Sequence, residues 1–281
     1  MYLRPGRKVR AFYFKRRTTL NKGTRVFLTG LLALVLTGSM GMLLRQTVEL
    51  QTAEESYAQA EAMAAPPDIE IPLIEEPESP TEELAAPVDE HAARLLELDI
   101  GALQAVNEEV LGWLEIPGTA VSYPLVQGTD NQYYLEHTWD KAPSAAGAIF
   151  LESRCSGDLS GFNTVVYGHR MMDGSMFGSL KYYKEQSCWQ EHPFVYVTDG
   201  RVCRRYEIFA AYEVSAAGIA YQIGFPGEED RQAFLNDCTA QSVIETGVVP
   251  TVHDQVLTLS TCTGKGYATR WVVQARLPGD I

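Results

Sequence analysis

Short apolar runs rich in β-branched and aromatic residues follow one another through the C-terminal two thirds of the chain, separated by Gly- and Pro-containing stretches. Such runs predict strands. They do not alternate with helical segments, so a closed or nearly closed mixed β-barrel is expected rather than a parallel sheet. Asp199-Gly200 predicts a hairpin between two of them. The predicted strands are Val121 to Val126, Ala148 to Leu151, Thr164 to Tyr167, Phe194 to Thr198, Val202 to Val214, Val256 to Ser260 and Trp271 to Leu277.

Three segments of the chain have helical rather than alternating spacing. In the first, apolar residues recur from Leu103 to Leu114 at intervals of three and four, which predicts an amphipathic helix against the side of the domain. In the last, Phe234 and Cys238 lie on one face. The predicted helical segments are Ala92 to Leu114, Asn131 to His137 and Glu228 to Val243.

An uncharged apolar run from Val26 to Leu44 has the length of a membrane-spanning helix. Residues 1–25 before it contain nine Lys or Arg and no acidic residue. The positive-inside rule therefore predicts a single-pass anchor in the cell membrane, with residues 1–25 cytoplasmic and the rest extracellular. A cleaved signal peptide is the alternative, with Ala58 and Ala60 as a mimic of a cleavage site.

The charge reverses after the apolar run. Thirteen acidic residues and no Lys or Arg occur between residues 46 and 92, together with six prolines, which predicts an extended stalk over residues 45–91. The remaining residues, 92–281, form the predicted catalytic domain. They hold 13 basic and 23 acidic residues, and such an acidic domain is not expected to bind nucleic acid.

Five cysteines are scattered along the chain without a CxxC pair. This spacing argues against a zinc site or a dithiol redox centre, and no acidic run has calcium-loop spacing. We therefore expect no metal and no cofactor, and most of the cysteines should be unpaired and buried.

One cysteine lies at the end of a predicted strand. The stretch QVLTLSTC ends at Cys262, and RWVVQARL begins at Arg270 after a Gly-containing loop, so the two strands should form a hairpin that places Cys262 across from Arg270. An arginine there would favour the thiolate and stabilise an oxyanion. The alternatives are a structural cysteine and a solvated surface arginine.

A thiol nucleophile needs a proton-transfer partner, and His169 is the best candidate. It follows the strand-like NTVVY and a glycine, which marks an exposed strand end. An imidazole exchanges protons readily near neutral pH, so it suits both protonation of a leaving amine and deprotonation of an incoming one.

The ordered stretches NTVVYGH, TLSTC and RWVVQARL resemble the sortases. The upstream GWLEIPGTAVSYPLVQGTDNQYYLEHTW and GAIFLE are similar to class B sortases in particular, and the resemblance covers roughly residues 95–278. It implies a mainly β fold, an eight-stranded sortase β-barrel with N-terminal helices. It also implies that the helical segment Glu228 to Val243 lies in a long loop before the nucleophile strand and forms one wall of the groove.

The same resemblance assigns site residues. It implies that Cys262, His169 and Arg270 are catalytic. It further implies a groove for a C-terminal sorting signal of the NPQTN or NPxTG kind, cleaved after Thr through a thioacyl intermediate and transferred to the amine of a cell-wall peptide precursor. The partners are then surface proteins that carry the signal. The implied groove residues are Asn131, Leu135, Tyr167 and Ser260.

Three other functions remain open at this stage. A sortase of this type can polymerise pilins through a lysine acceptor, or act as a cysteine peptidase with water as acceptor. The third alternative is a non-catalytic adhesive or receptor module on a stalk. Separately, the groove residues have structural alternatives, since Leu135 can be plain core and Asn131 a helix cap.

Overall fold

Eight strands close into a barrel. The structure is a computed structural model that describes residues 21–66, 89–264, 266 and 268–279. The strands are β1 (Val110–Glu115), β2 (Ser122–Val126), β3 (Ile149–Leu151), β4 (Asn163–Tyr167), β5 (Phe194–Thr198), β6 (Cys203–Ser215), β7 (Gln255–Cys262) and β8 (Thr269–Leu277). Around the barrel they follow the order β1-β2-β3-β4-β7-β8-β6-β5.

The helices of the described residues lie before the barrel and in its connections. The α-helices are α1 (Lys22–Ala64), α2 (Glu90–Leu96), α3 (Ile100–Val106), α4 (Gln186–Glu191) and α5 (Glu228–Gln241). Single 3-10 segments cover Tyr133–Leu135, Gly178–Lys184 and Ile219–Tyr221. The predicted helix from Asn131 to His137 is therefore only one short 3-10 turn.

The barrel is mixed, as predicted. Strands β2 and β3 are parallel, and so are β4 and β7, whereas the other neighbouring pairs are antiparallel. The β5–β6 hairpin turns at Asp199-Gly200, where Gly200 has a φ of 83° that favours glycine. All seven strands expected from the sequence are present.

The barrel interior is filled by aliphatic side chains that alternate along each strand. One cluster of fully buried side chains fills the centre, and it includes Leu114, Val166, Leu259 and Val273. Burial of such side chains contributes roughly 1.5–3 kcal/mol each. This packed interior fixes the strand register, because a slip of one residue would turn every apolar side chain outward.

The prediction of one helical segment from Ala92 to Leu114 is wrong in two respects, because two short helices, α2 and α3, replace it and neither reaches Leu114. Helix α3 ends at Val106, and residues Val110–Glu115 form β1, which pairs with both β2 and β5. Trp113 packs with the N-terminal helices on the outside of the barrel, and Leu114 packs in its interior. A strand that is buried on both faces loses the polar alternation that would identify it.

Helices α2 and α3 begin at capping side chains, and α5 buries the face predicted for it. The Asp89 and Asp99 carboxylates accept hydrogen bonds from backbone amides in the first turns of α2 and α3, at 3.1 and 2.9 Å. Helix α5 buries Phe234 and Cys238 against the outside of the barrel, as their spacing predicts.

The structure differs from the predicted stalk over its first part. The chain divides into compact units at Thr47/Val48, and α1 continues through residues 48–64 in the second unit. Ala53, Ala60 and Ala64 are buried there. All six prolines lie at residue 66 or beyond, so the preceding Ala- and Glu-rich stretch favours helix. The rest of the predicted stalk, residues 67–88, and the first twenty residues of the basic segment lie outside the described residues.

Candidate active site

Strand register brings three distant residues to one rim of the barrel. In the parallel pair β4–β7, Tyr167 lies beside Ser260, and the amide of Gly168 donates to the Ser260 carbonyl at 3.2 Å. His169 and Cys262 each follow two residues later and so leave the sheet at the same end. In the antiparallel pair β7–β8, Cys262 lies directly across from Arg270, as the hairpin predicts.

A pocket of about 230 Å³ opens at this rim. Its walls bring together all seven residues that the sequence singles out. Five further residues complete the lining, namely Phe150, Gly168, Ala216, Tyr221 and Thr261. The seven are Asn131, Leu135, Tyr167, His169, Ser260, Cys262 and Arg270.

Cys262 is half-buried and forms no disulfide. The same is true of Cys155, Cys188 and Cys203, whereas Cys238 is unpaired and fully buried. The expectation of unpaired cysteines is confirmed, but only one of the five is fully buried. Among the described residues, no group of three or more His, Cys, Asp or Glu side chains has the arrangement of a metal site.

The backbone just after Cys262 is held in place from two sides. The Arg170 guanidinium donates a short hydrogen bond to the Thr263 carbonyl, and the Thr263 hydroxyl bonds that of Thr269 at 2.9 Å. These contacts close the mouth of the β7–β8 hairpin. The half-buried Arg270 guanidinium donates from Nη1 to the Thr269 carbonyl at 3.1 Å, which ties its head group to the strand that faces the thiol.

The His169 ring has a defined orientation. Its Nε2 lies 2.7 Å from the carbonyl oxygen of Leu135. A carbonyl only accepts, so Nε2 carries the hydrogen and Nδ1 is the nitrogen available for proton exchange. Gly147 lies against the same edge of the ring, where an added Cβ would come within 2.9 Å of His169 Cδ2, the ring atom next to Nε2.

Asn131 and Leu135 face the pocket rather than serving the structural roles considered above. The side chain that caps the 3-10 turn is Asp130, whose carboxylate accepts from Gln132 and Tyr133 amides at 2.8 and 2.9 Å. Asn131 Oδ1 instead accepts from the Ser153 amide at 2.8 Å. Leu135 is 36% exposed, so it is not part of the core.

A buried carboxylate that the sequence analysis missed supports the groove. Glu152 is 2% exposed and accepts from Tyr167 Oη and Arg154 Nε, both at 2.9 Å. Burial raises its pKa, but hydrogen bonds from Arg154, Asn131 and Tyr167 outweigh burial and lower the pKa to about 2. The signal was a lone carboxylate directly after the apolar run of β3.

Tyr221 is the second residue that the sequence analysis missed. It comes from the 3-10 segment before α5, its hydroxyl lies 2.8 Å from Ser260 Oγ, and its ring stacks on Tyr167 with centroids 6.1 Å apart. Burial raises the pKa of this phenol and outweighs the hydrogen bond with Ser260 and the charge of Arg270, which lower it, so the hydroxyl stays protonated. An isolated tyrosine in a long loop gave little reason to select it.

Comparison with known proteins agrees with this geometry. The Sortase domain family model matches residues 114–278. Sortase B of Listeria monocytogenes is 37% identical over 177 residues, which is 62% of this chain and 72% of that protein. The Staphylococcus aureus sortase B–substrate complex superposes with a TM-score of 0.61 at 29% identity, covering 65% of this chain and 85% of the other. Sortase B of Bacillus anthracis in complex with AAEK1 gives a TM-score of 0.66 at 29% identity, covering 83% and 100%.

The chain therefore belongs to the sortase family of cysteine transpeptidases. Its relatives place it in class B, and the closed eight-stranded barrel with N-terminal helices matches the solved sortase B structures. The fold implied by the sequence resemblance is confirmed.

Proposed function

We propose that Cys262, His169 and Arg270 form the catalytic centre of this transpeptidase. The supporting observation is their convergence in one pocket, with Cys262 paired across the hairpin to Arg270 and His169 at the same rim. No other cysteine of the chain lines this pocket among the described residues.

The proposed reaction has two acyl transfers. The Cys262 thiolate attacks the carbonyl carbon of Thr in a sorting signal of the NPQTN or NPxTG kind, and Arg270 stabilises the resulting oxyanion. His169, which holds the proton of the Cys262 thiol on Nδ1, gives that proton to the departing amine as the carbon–nitrogen bond breaks and the thioester remains. The acceptor amine then attacks the thioester, Nδ1 takes its proton, and the thiolate leaves.

We propose that Asn131, Leu135, Tyr167 and Ser260 bind the signal peptide, because they line the same pocket as the thiol. The acceptor is the amine of a cell-wall peptide precursor. The anchored substrates are then surface proteins that carry the sorting signal.

The membrane part of the proposal rests on one helix. Of the described residues, only α1 forms a helix long and apolar enough to cross a membrane, and its apolar part is exposed in the structure. We propose that Val26 to Leu44 spans the cell membrane with the basic segment in the cytoplasm. Protease treatment of intact cells should then remove the barrel and spare an epitope placed before residue 25. Release of the full chain from the membrane fraction by high salt would contradict anchoring.

Mass spectrometry of the intact chain tests the catalytic proposal. After mixing with a pentapeptide of the NPQTN or NPxTG kind, we expect a mass increase on Cys262 equal to the mass of the peptide truncated after Thr less one water. Addition of an amine acceptor should discharge the adduct as ligated product. The Cys262→Ala variant should show neither. Release to water alone would favour a peptidase, and a chain that never acylates with any such peptide would leave only a binding module.

A further inference from the structure

A phenol from helix α1 reaches the backbone that supports the proton-transfer residue. Tyr57 Oη donates to the carbonyl oxygen of Gly147 at 2.7 Å, across a sequence separation of 90 residues. Its ring also packs edge-on against Tyr123, with centroids 5.1 Å apart. Burial raises the pKa of Tyr57 well above its usual value, so the hydroxyl stays a hydrogen donor.

Gly147 leaves no space between its backbone and the imidazole. Its φ of +60° lies in the left-handed region, and an added Cβ would come within 2.9 Å of His169 Cδ2 and within 2.6 Å of the Tyr134 carbonyl oxygen. The backbone of residue 147 is therefore in contact with the ring. A displacement of this backbone would be passed directly to the imidazole, because packed groups transmit small shifts.

The same edge of the ring is also fixed by a hydrogen bond, because Nε2 is the ring atom bonded to Cδ2. His169 Nε2 bonds the Leu135 carbonyl, and the amide of Ala148 donates to the Tyr134 carbonyl at 2.8 Å. Gly147 and Leu135 thus belong to two backbone segments that are hydrogen-bonded to each other. Together these two segments form the backbone support of the imidazole.

Helix α1 is hydrogen-bonded to this backbone support through two neighbouring residues, Ser56 and Tyr57. Beside the Tyr57 bond, the Trp139 indole donates from Nε1 to the Ser56 carbonyl at 3.0 Å. Ser56 is 5% exposed and Trp139 is 1% exposed, so the contact excludes water. The segment from residue 139 to 147 is therefore tied to α1 close to both of its ends.

We propose that Tyr57 is a positioning residue for catalysis: its hydroxyl fixes Gly147 and thereby holds the His169 ring with Nδ1 directed for proton transfer. The proposal rests on the role proposed above for His169. It also gives residues 48–64, which the sequence analysis assigns to a stalk, a part in the reaction. A misplacement of reacting groups by about 1 Å can cost on the order of 100-fold in rate.

The test compares Tyr57→Phe with Tyr183→Phe in the full chain in detergent micelles. Tyr183 is a matched control, because its ring is buried and its hydroxyl, like that of Tyr57, donates to a backbone carbonyl, that of His192, at 2.6 Å. With a sorting peptide and an amine acceptor, Tyr57→Phe should lower kcat about five- to tenfold with KM within about twofold of wild type. Tyr183→Phe should change neither by more than about twofold, even if both variants lose similar thermal stability.

An NMR measurement detects the contact between the Gly147 backbone and the His169 ring directly. In the chain labelled with 13C-histidine, the His169 Cδ2–Hδ2 cross-peak, assigned by its loss in His169→Gln, should shift in Tyr57→Phe and stay in place in Tyr183→Phe. An unshifted peak with an unchanged kcat in Tyr57→Phe, or equal changes in both variants, would overturn the inference. If His169→Gln is inactive and Tyr57→Phe is fully active, only the positioning role of Tyr57 is rejected. If His169→Gln is itself fully active, the proposed catalytic role of His169 is rejected, and the positioning role of Tyr57 with it.

Discussion

The two sides of the candidate active site are built in different ways. Cys262, Arg270 and His169 stand at the ends of paired strands, where the register of β4, β7 and β8 fixes their relative positions. The peptide-groove side depends instead on loops and on contacts such as Glu152 with Tyr167 and Tyr221 with Ser260. The strand side inherits its geometry from the core of the barrel, whereas the loop side has to be held by individual hydrogen bonds.

This difference predicts how substitutions divide. Residues at the strand ends can be changed without disturbing the frame, so their loss should appear as loss of chemistry. Residues that support the groove should chiefly alter binding of the peptide. The catalytic rate and KM therefore separate the two sides, and the following substitutions test that separation.

Cys262→Ala should have the largest effect. Without the thiol there is no nucleophile, so cleavage of the sorting peptide should fall by at least about 1000-fold while the fold is kept. Cys203→Ala is the control, because Cys203 is likewise half-buried and unpaired but lies outside the pocket. Cleavage is measured with a fluorescence-quenched peptide. Activity in Cys262→Ala above a tenth of wild type would remove the thiol from the mechanism.

Arg270→Ala should have the next largest effect. Loss of an oxyanion donor typically costs about 100- to 1000-fold in kcat, and KM should change little. Arg270→Lys keeps the charge but not the planar fork, so it should recover only part of the rate. If Arg270→Ala raised KM and left kcat intact, the arginine would belong to the binding side, and the division drawn above would fail.

The strand side is also the part that sequence alone can predict. A nucleophile at the end of one strand and an arginine at the start of the next imply a hairpin pair, and the structure confirms the pairing of Cys262 with Arg270. The same local logic identified seven of the eight strands. It failed for β1, because Val110–Glu115 is covered by helices outside and by the core inside, which hides the alternation.

The hydrogen bonds that support the site from outside the paired strands, behind the imidazole as well as behind the groove, join residues far apart in sequence. Tyr57 meets Gly147 across 90 residues and Tyr221 meets Ser260 across 39, through side-chain bonds that leave no periodic pattern. The helix over residues 48–64 was missed for a related reason. Averaging composition over a long acidic, Pro-containing stretch concealed that its first part contains no proline.

Glu152→Gln tests the support of the groove. The carboxylate holds Tyr167 and Arg154, so its neutralisation should raise KM for the peptide about fivefold and change kcat by less than about twofold. Steady-state kinetics at neutral pH measures both. A fall in kcat with unchanged KM would place Glu152 on the catalytic side instead.

The Glu152→Gln substitution should also change how thermal stability depends on pH in the acid range. Because the folded-state pKa of Glu152, about 2, lies below its ordinary value of 4.5, the ionised carboxylate stabilises the fold above about pH 4.5. That contribution is lost as the pH falls towards 2. The difference in Tm between wild type and Glu152→Gln should therefore narrow over this window. A constant difference from pH 7 to pH 2.5 would contradict the ionised, hydrogen-bonded carboxylate.

Tyr221→Phe should have the smallest effect and is the most sensitive test of the division. It removes only the hydroxyl that bonds Ser260 at 2.8 Å and leaves the ring stacked on Tyr167. A neutral hydrogen bond contributes about 1 kcal/mol, and part of this is recovered by relaxation, so KM should rise about two- to threefold with kcat unchanged. Tyr196→Phe is the control, because the Tyr196 hydroxyl donates to Asp89 at 2.9 Å outside the pocket. This variant should leave kcat and KM at wild-type values. A larger loss in kcat for Tyr221→Phe than for Arg270→Ala would mean that the loop, and not the strand end, orients the reacting groups.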